Sequence, residues 1–354
     1  MDTPLFWIHT YTDVDRAFWA EHLEAWVPAR LFDSHVHIME PALQIETISD
    51  EQARAFWVME LQAAQEADTA ARCMAIVYPG REVSCLSFGM PTLGWDIERG
   101  NLYVSGEAAR RGWQALAVVR PTWVAEQVAW YLAQPAVIGV KPYYATLGYD
   151  RSGRDAFQEV SIFDFLPPHQ LEVLDARAAW LTLHVPRAGR LGDPDNQREL
   201  RALRRRYPRI RLVIAHYGRS YTVPHALEGI VPLADDPGIY MDTSAVLNPE
   251  VHYLALKHLG PTRILYGTDN PIFYLRGRRQ WAGRSYINRT NYPFHFNTVR
   301  EAPEIEATYT LYMYEALKAL KDACTRLGLG REAVEAIFWG NAQRLMQQGG
   351  SADA

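Results

Sequence analysis

Residues 29–38 read Ala-Arg-Leu-Phe-Asp-Ser-His-Val-His-Ile, and the fold is decided here. The segment is a short apolar run interrupted by two histidines, His35 and His37, spaced by one residue. In a strand, residues two apart face the same side, so both imidazoles are aimed at one point. Runs of the same kind recur along the chain at 71–78, 113–120, 136–143, 179–185, 210–217, 238–245 and 263–269, and each reads as a buried strand. Helical patterns stand between them, among them 195–207 and 249–260, the latter with Asn248 as its cap. Eight strands alternating with helices predict either a barrel or a large doubly wound sheet. No Gly-rich phosphate-binding motif opens a helix, which withdraws support from the nucleotide-binding form of the open sheet.

Several of these runs end on polar groups. His184 closes one, His216 another and Asp269 a third. In a (β/α)8 barrel all strand C-termini face one mouth, so His35, His37, His184, His216 and Asp269 converge by topology alone. Taken singly, His184 and His216 could be satisfied core histidines; taken jointly, the five point to a metal site, because imidazole and carboxylate suit a divalent transition ion. Lys141 ends the fourth run, followed by Tyr143 and Tyr144. It reads as a contact for a substrate carboxylate, as a modified metal bridge, or as a lysine snorkelling at the barrel rim. Asp242, Thr243 and Ser244 end the seventh run, either to bond substrate or to cap a helix, and Asp33 reads as a partner that orients a ligand.

Three segments fall outside the alternation. Residues 1–28 form an N-terminal extension with helical character, 79–100 a loop punctuated by Gly and Pro, and 270–303 a long loop rich in Arg and aromatic residues. The last begins at the barrel mouth, so it is expected to act as a lid, with Arg276, Arg278 and Arg284 binding an anionic substrate, or else as a subunit contact. Two helices are expected to follow, at 304–330 and 331–348.

The motifs FDSHVHI, GVKPYY, LTLHV, VIAHYG, LYGTDNP and IFWGNAQRLM, in this order, resemble those of the amidohydrolase superfamily in its amidohydrolase-related branch. The resemblance covers residues 29–348 and implies a distorted TIM barrel forming a single domain over 1–354. It implies that His35, His37, His184 and Asp269 bind one divalent ion, zinc by preference with Mn2+ or Fe2+ as alternatives. It further implies that Asp269 handles a proton and that His216 touches the attacking water or the substrate. The activity expected is hydrolysis of an amide, ester or lactone bond. Nonoxidative decarboxylation of an aromatic or unsaturated carboxylic acid is the alternative, and a non-catalytic barrel a third reading. The tyrosines after Lys141 depart from the branch pattern, which often has a His there, and this puts substrate transfer in doubt.

The chain has 354 residues with a net charge of -5, so neither nucleic acid nor membrane is expected as a partner. A small-molecule substrate and a homodimer are. The three cysteines form no CxxC pair, no signal peptide is read at the N-terminus, and no apolar run approaches the ~20 residues of a membrane helix. A cytoplasmic location follows as the expectation.

Overall fold

The computed structural model describes residues 2–47, 49, 51, 60, 61, 64–148 and 159–348. Eight strands form one sheet in sequential order. They are β1 (Arg30–His37), β2 (Glu82–Phe88), β3 (Gln114–Val119), β4 (Val137–Pro142), β5 (Trp180–Leu183), β6 (Arg211–Ile214), β7 (Ile239–Asp242) and β8 (Ile264–Leu265). Every neighbouring pair is parallel. The sheet closes on itself: Ser34 N donates to Tyr266 O (2.9 Å), Asp269 N to His35 O (2.9 Å) and His37 N to Asn270 O (2.8 Å). This is the (β/α)8 barrel, one of the two architectures that the alternation allows.

Inside the barrel, Phe32, Leu86, Phe88, Leu116, Trp180, Val213 and Leu265 pack together, and Ala342 and Leu345 from the C-terminal helix pack against them. Phe32 and His35 both face this interior, although three residues of a regular strand would place them on opposite sides. The register between β1 and β2 shifts between Asp33 and Val36, and that irregularity absorbs the odd residue. Beyond it, His35 and His37 both lie against Phe88, with ring centroids 4.9 and 4.7 Å away. The local irregularity therefore aims the two imidazoles inward, a familiar use of a bulge beside an active site.

The structure corrects one strand. Residues 71–78, expected as the second strand, belong to helix α1 (Ala67–Val77), and the second strand is β2, inside what reads as a loop at 79–100. The helix buries Ala67, Ala70, Cys73, Met74 and Val77, a three-and-four spacing that marks one helical face. Its apolar C-terminal half mimics a strand, whereas β2, Glu-Val-Ser-Cys-Leu-Ser-Phe, carries two serines and looks less apolar than a buried strand usually does. Helix α2 (Ile97–Arg111) then starts within the same supposed loop, capped by Asp96 accepting from Arg99 N at 3.1 Å.

The helices expected at 195–207 and 249–260 are α3 (Pro194–Arg206) and α4 (Pro249–Leu259), and the Asn248 side chain caps α4 by accepting from Glu250 N at 3.0 Å. The long helix expected over 304–330 is shorter, Tyr312–Arg326, preceded by a separate turn at Pro303–Glu306. The long loop after β8 is not structureless. It holds an antiparallel hairpin, β9 (Gly277–Ala282) and β10 (Ser285–Thr290), turned by Gly283 and Arg284. Gly283 sits at φ +57°, a backbone region this two-residue turn demands and glycine enters without strain. Among the described residues no helix is long and apolar enough to cross a membrane.

Candidate active site

The ends of β1, β5, β6 and β8 open onto one cavity of about 140 Å³, lined by His35, His37, His184, His216, Asp269 and Lys141 among others. Three of the histidines are tethered through Nδ1. His35 Nδ1 lies 2.9 Å from Asp242 Oδ2, His37 Nδ1 3.2 Å from Gly89 O, and His216 Nδ1 3.2 Å from Ser244 O. Carbonyl and carboxylate oxygens can only accept, so Nδ1 carries the hydrogen in each case and the Nε2 lone pair is left for another partner. The Nε2 atoms of His35 and His37 lie 3.4 and 3.3 Å from the same Asp269 Oδ1. Among the described residues, ligand atoms of His35, His216 and Asp269 all fall within 4.8 Å of one another.

His184 stands beside this group, its ring 5.3 Å from that of His216 and 4.8 Å from that of Tyr143. Among the described residues its buried Nδ1 has no hydrogen-bond partner, and neither has Lys141 Nζ. Unsatisfied buried polar atoms are costly, and two of them facing one cavity mark a place built to receive something. Neutral imidazoles, a carboxylate and an orphaned ring nitrogen fit a divalent cation.

The electrostatics agree. Burial, then the Lys141 charge, push His35 down to about 3 against the pull of Asp242, so the ring is neutral at physiological pH. Burial and the neighbouring His216 push His184 well below the ordinary histidine value. Burial opposes the charge on Asp269, yet the neighbouring His216, His35 and His37 outweigh it and hold the carboxyl below its usual range. Burial pushes Lys141 down to about 8, with Asp242 and Asp269 opposing.

Two further carboxylates hold the frame. Asp242 accepts from His216 N (2.8 Å), Ser244 N (3.1 Å) and the Ser244 hydroxyl as well as from His35, so one residue at the end of β7 orients groups on β1 and β6. Asp33 is fully buried and accepts from His35 N (3.2 Å), Thr268 N (2.9 Å) and Thr268 Oγ1 (2.5 Å), tying β1 to the residues after β8. Burial pushes it up to about 7. The turn after β6 is strained: His216, Tyr217 and Arg219 have φ of +55°, +47° and +64°, and Asp269 has +71°. Such backbone gathers at functional sites because only a rigid surround sustains its cost.

Three arginines expected to bind substrate are not brought to this cavity. Arg276 is buried in a pair with Asp15, donating also to Thr10 O (2.7 Å) and Tyr309 O (2.7 Å), and so ties the N-terminal extension to the hairpin. Arg278 pairs with Glu301 and Arg284 with Glu228. The loop instead contributes Arg279 and Tyr286 to the cavity wall, joined by Arg190, Arg219 and Tyr221 from the turns after β5 and β6. Arg278 and Arg279 are adjacent in a strand and so face opposite ways. Reading GRRQWAGRSYINRT as a hairpin would have separated them. Arg190 and Arg219 follow His184 and His216 within a few residues, at strand ends where any polar side chain is a candidate.

A family model described as amidohydrolase matches residues 100–347, and the chain belongs to that family. It is an enzyme of the amidohydrolase superfamily. No curated protein matches the sequence. Among solved structures, an amidohydrolase from Burkholderia multivorans with bound zinc is similar at a TM-score of 0.56 and 13% identity, covering 90% of this chain and 99% of that one. A 2,6-dihydroxybenzoate decarboxylase from Rhizobium is similar at 0.52 and 15%, covering 91% and 99%. A 5-carboxyvanillate decarboxylase from Novosphingobium aromaticivorans, complexed with manganese and 4-hydroxy-3-methoxy-5-nitrobenzoic acid, is similar at 0.54 and 11%, covering 91% and 96%.

Proposed function

We propose that this enzyme hydrolyses an amide, ester or lactone bond of a small anionic molecule, using one divalent cation held by His35, His37, His184 and Asp269. The observation that carries the reading is the convergence of two Nδ1-tethered imidazoles on one carboxylate oxygen, Asp269 Oδ1, at 3.4 and 3.3 Å. Zinc is the ion of first choice, since three imidazoles and a carboxylate match its donor preference. When bound, such an ion lowers the pKa of water from ~15.7 toward 7 and polarises a carbonyl. Asp269 is the base: its carboxylate takes a proton from the attacking water as the new C–O bond forms, then returns it to the leaving nitrogen or oxygen as the old bond breaks. His216, fixed by Ser244 and by its backbone bond to Asp242, positions the water or the substrate carbonyl. Asp242 and Ser244 keep the imidazoles in the tautomer that this arrangement needs.

A second reading, nonoxidative decarboxylation of an aromatic or unsaturated acid, is favoured by the cavity itself. Its volume of about 140 Å³ and its Tyr143, Tyr144 and Phe273 walls suit one ring, since a cavity of ~150 Å³ takes up benzene. Two of the similar structures are decarboxylases by name.

Metal analysis and isotope tracing test both. Protein purified without chelator is expected to carry about one divalent ion per chain, and His35→Ala or His184→Ala to lose it. His216→Asn keeps the metal and loses rate; loss of metal in this variant would move His216 into the ligand set. With a panel of lactones, esters, amides and benzoates in H2(18)O, hydrolysis places 18O in the acid product, while decarboxylation releases CO2 and leaves the remaining product unlabelled. A protein that takes up no metal and turns over neither class sinks the proposal.

A further inference from the structure

The cavity has a second polar region that the metal-centred reading does not use. Arg190 comes from the turn at Arg190–Gly192 after β5, Arg219 from the turn after β6 and Arg279 from β9, and all three line the cavity. Arg190 Nη1 donates to Arg219 O at 3.0 Å, so two of the three are tied together. The guanidinium groups of Arg190 and Arg279 lie 5.2 and 5.5 Å from the Tyr221 ring, and Arg279 also lies 4.4 Å from Tyr286. Aromatic faces fix the planes of these cations without neutralising them.

Charge separates Arg190 and Arg279 from four arginines of the insertion. Arg276, Arg278, Arg284 and Arg300 each pair with a carboxylate. Among the described residues no ion pair joins Arg190 or Arg279 to one, and Arg279 spends its bonds on Asn288 Oδ1 (2.9 Å) and Ala245 O (3.0 Å). Among the described residues that line the cavity the acidic one is Asp269, alongside the cations Arg190, Arg279 and Lys141. Burial lowers the pKa of Arg190, and the like charges of Arg219 and Arg279 lower it further against the opposing effect of Tyr286 and Tyr221, the crowding that a bound anion relieves. Arg190 and Arg219 are held at φ +59° and +64°, left-handed backbone of the kind found at ligand clamps.

We propose that Arg190 and Arg279 form a carboxylate subsite apart from the metal-binding corner, so that the substrate is a compact molecule, one ring in size, bearing a carboxylate remote from the bond that reacts. Planar guanidinium groups from two elements match a carboxylate's bidentate geometry. The cavity volume of about 140 Å³ limits the body between the two ends to roughly one ring. The inference builds on the proposed metal-dependent reading, since it assigns the reacting end to His35, His216 and Asp269.

The test is calorimetric titration of the metal-loaded enzyme with benzoate and with isophthalate, which adds a second carboxylate to the same ring. Isophthalate is expected to bind about tenfold tighter or more, the scale of one charge-assisted pair. Arg190→Gln and Arg279→Gln should each remove most of that advantage. Melting curves report whether the variants fold; should Arg279→Gln lose the hairpin, Arg190→Gln alone decides. Equal affinity for the two acids, or an advantage that survives in the folded variants, overturns the subsite. A dicarboxylate preference in protein that takes up no metal upholds the subsite and sinks the metal-dependent reading. Metal uptake and turnover with no such preference does the reverse.

Discussion

His252 illustrates how a single buried side chain couples this fold to pH. It lies on α4 with no exposed surface, Nε2 3.0 Å from Val246 O and Nδ1 3.1 Å from Tyr217 Oη. Burial pushes it down to about 4, the Val246 bond opposing. The folded value lies below the unfolded one near 6.5, so between them the unfolded chain binds the extra proton. Stability from this residue is therefore complete above about pH 6.5 and is lost as pH falls toward 4, on the order of 3 kcal/mol in all. His252→Gln is expected to flatten the fall in urea midpoint between pH 7 and 5. His9 and His225, also pushed down to about 4, keep some slope in place. An unchanged profile in the variant would show that His252 is not the group that titrates. At this scale the sequence is most readable where topology does the placing. His35, His37, His184, His216 and Asp269 each stand at or next to a strand end, and all reach one cavity. Arg190, Arg219 and Arg279 were not legible, because their direction depends on left-handed turns and a hairpin register that single residues do not announce.

Elements show a different balance between what is legible and what is not. The insertion after β8 is visible as long and rich in arginine, but its arginines divide by partner. Arg276 is buried against a fully buried Asp15, to which Thr310 Oγ1 also donates at 2.8 Å. Removing one partner of a buried pair leaves the other charge stranded, at a cost of about 3–5 kcal/mol. Arg276→Ala is thus expected to lower the urea midpoint sharply while the remaining folded fraction binds ligand as before; a stable variant with weakened substrate binding would return Arg276 to the site. Arg284–Glu228, in contrast, is an exposed pair at the hairpin tip, where water screens the two charges and the pair adds little. The misread second strand has the same physical root. Both α1 and β2 bury an apolar face, and a run of eight residues is too short for its period to separate helix from strand. The correct reading needed the N-terminal half of α1, where Ala67 and Ala70 extend the helical spacing.

For the molecule as a whole, the barrel was legible because its alternation survives one misassigned strand: a helix taken for β2 still leaves eight strands in the count. The family follows from a match over residues 100–347. What the pattern could not convey is how the ring of strands is joined. The eighth strand has only two residues, and the join with the first rests on a few bonds, Ser34 N to Tyr266 O, Asp269 N to His35 O and His37 N to Asn270 O, with Asp33 reaching across to Thr268.

That join makes the catalytic centre a fastening as well as a workplace. Three of the four side chains proposed for the cation stand at the join, His35 and His37 on one edge and Asp269 on the other, so an ion there would act as a rivet across it. Binding that favours the closed form adds RT ln(1 + [L]/Kd) to its stability, about 2.7 kcal/mol at a hundredfold excess over Kd. Chelation should then speed deuterium uptake at the amides of Ser34, His37 and Asp269, while those of Ala115 and Val118 on β3, a strand that carries none of the assigned ligands, keep their protection. Uniform loosening around the ring would mean that the ion supports the whole fold equally; confinement to the join would mean that a metal-starved enzyme opens like a torn hoop, intact except where its chemistry resides.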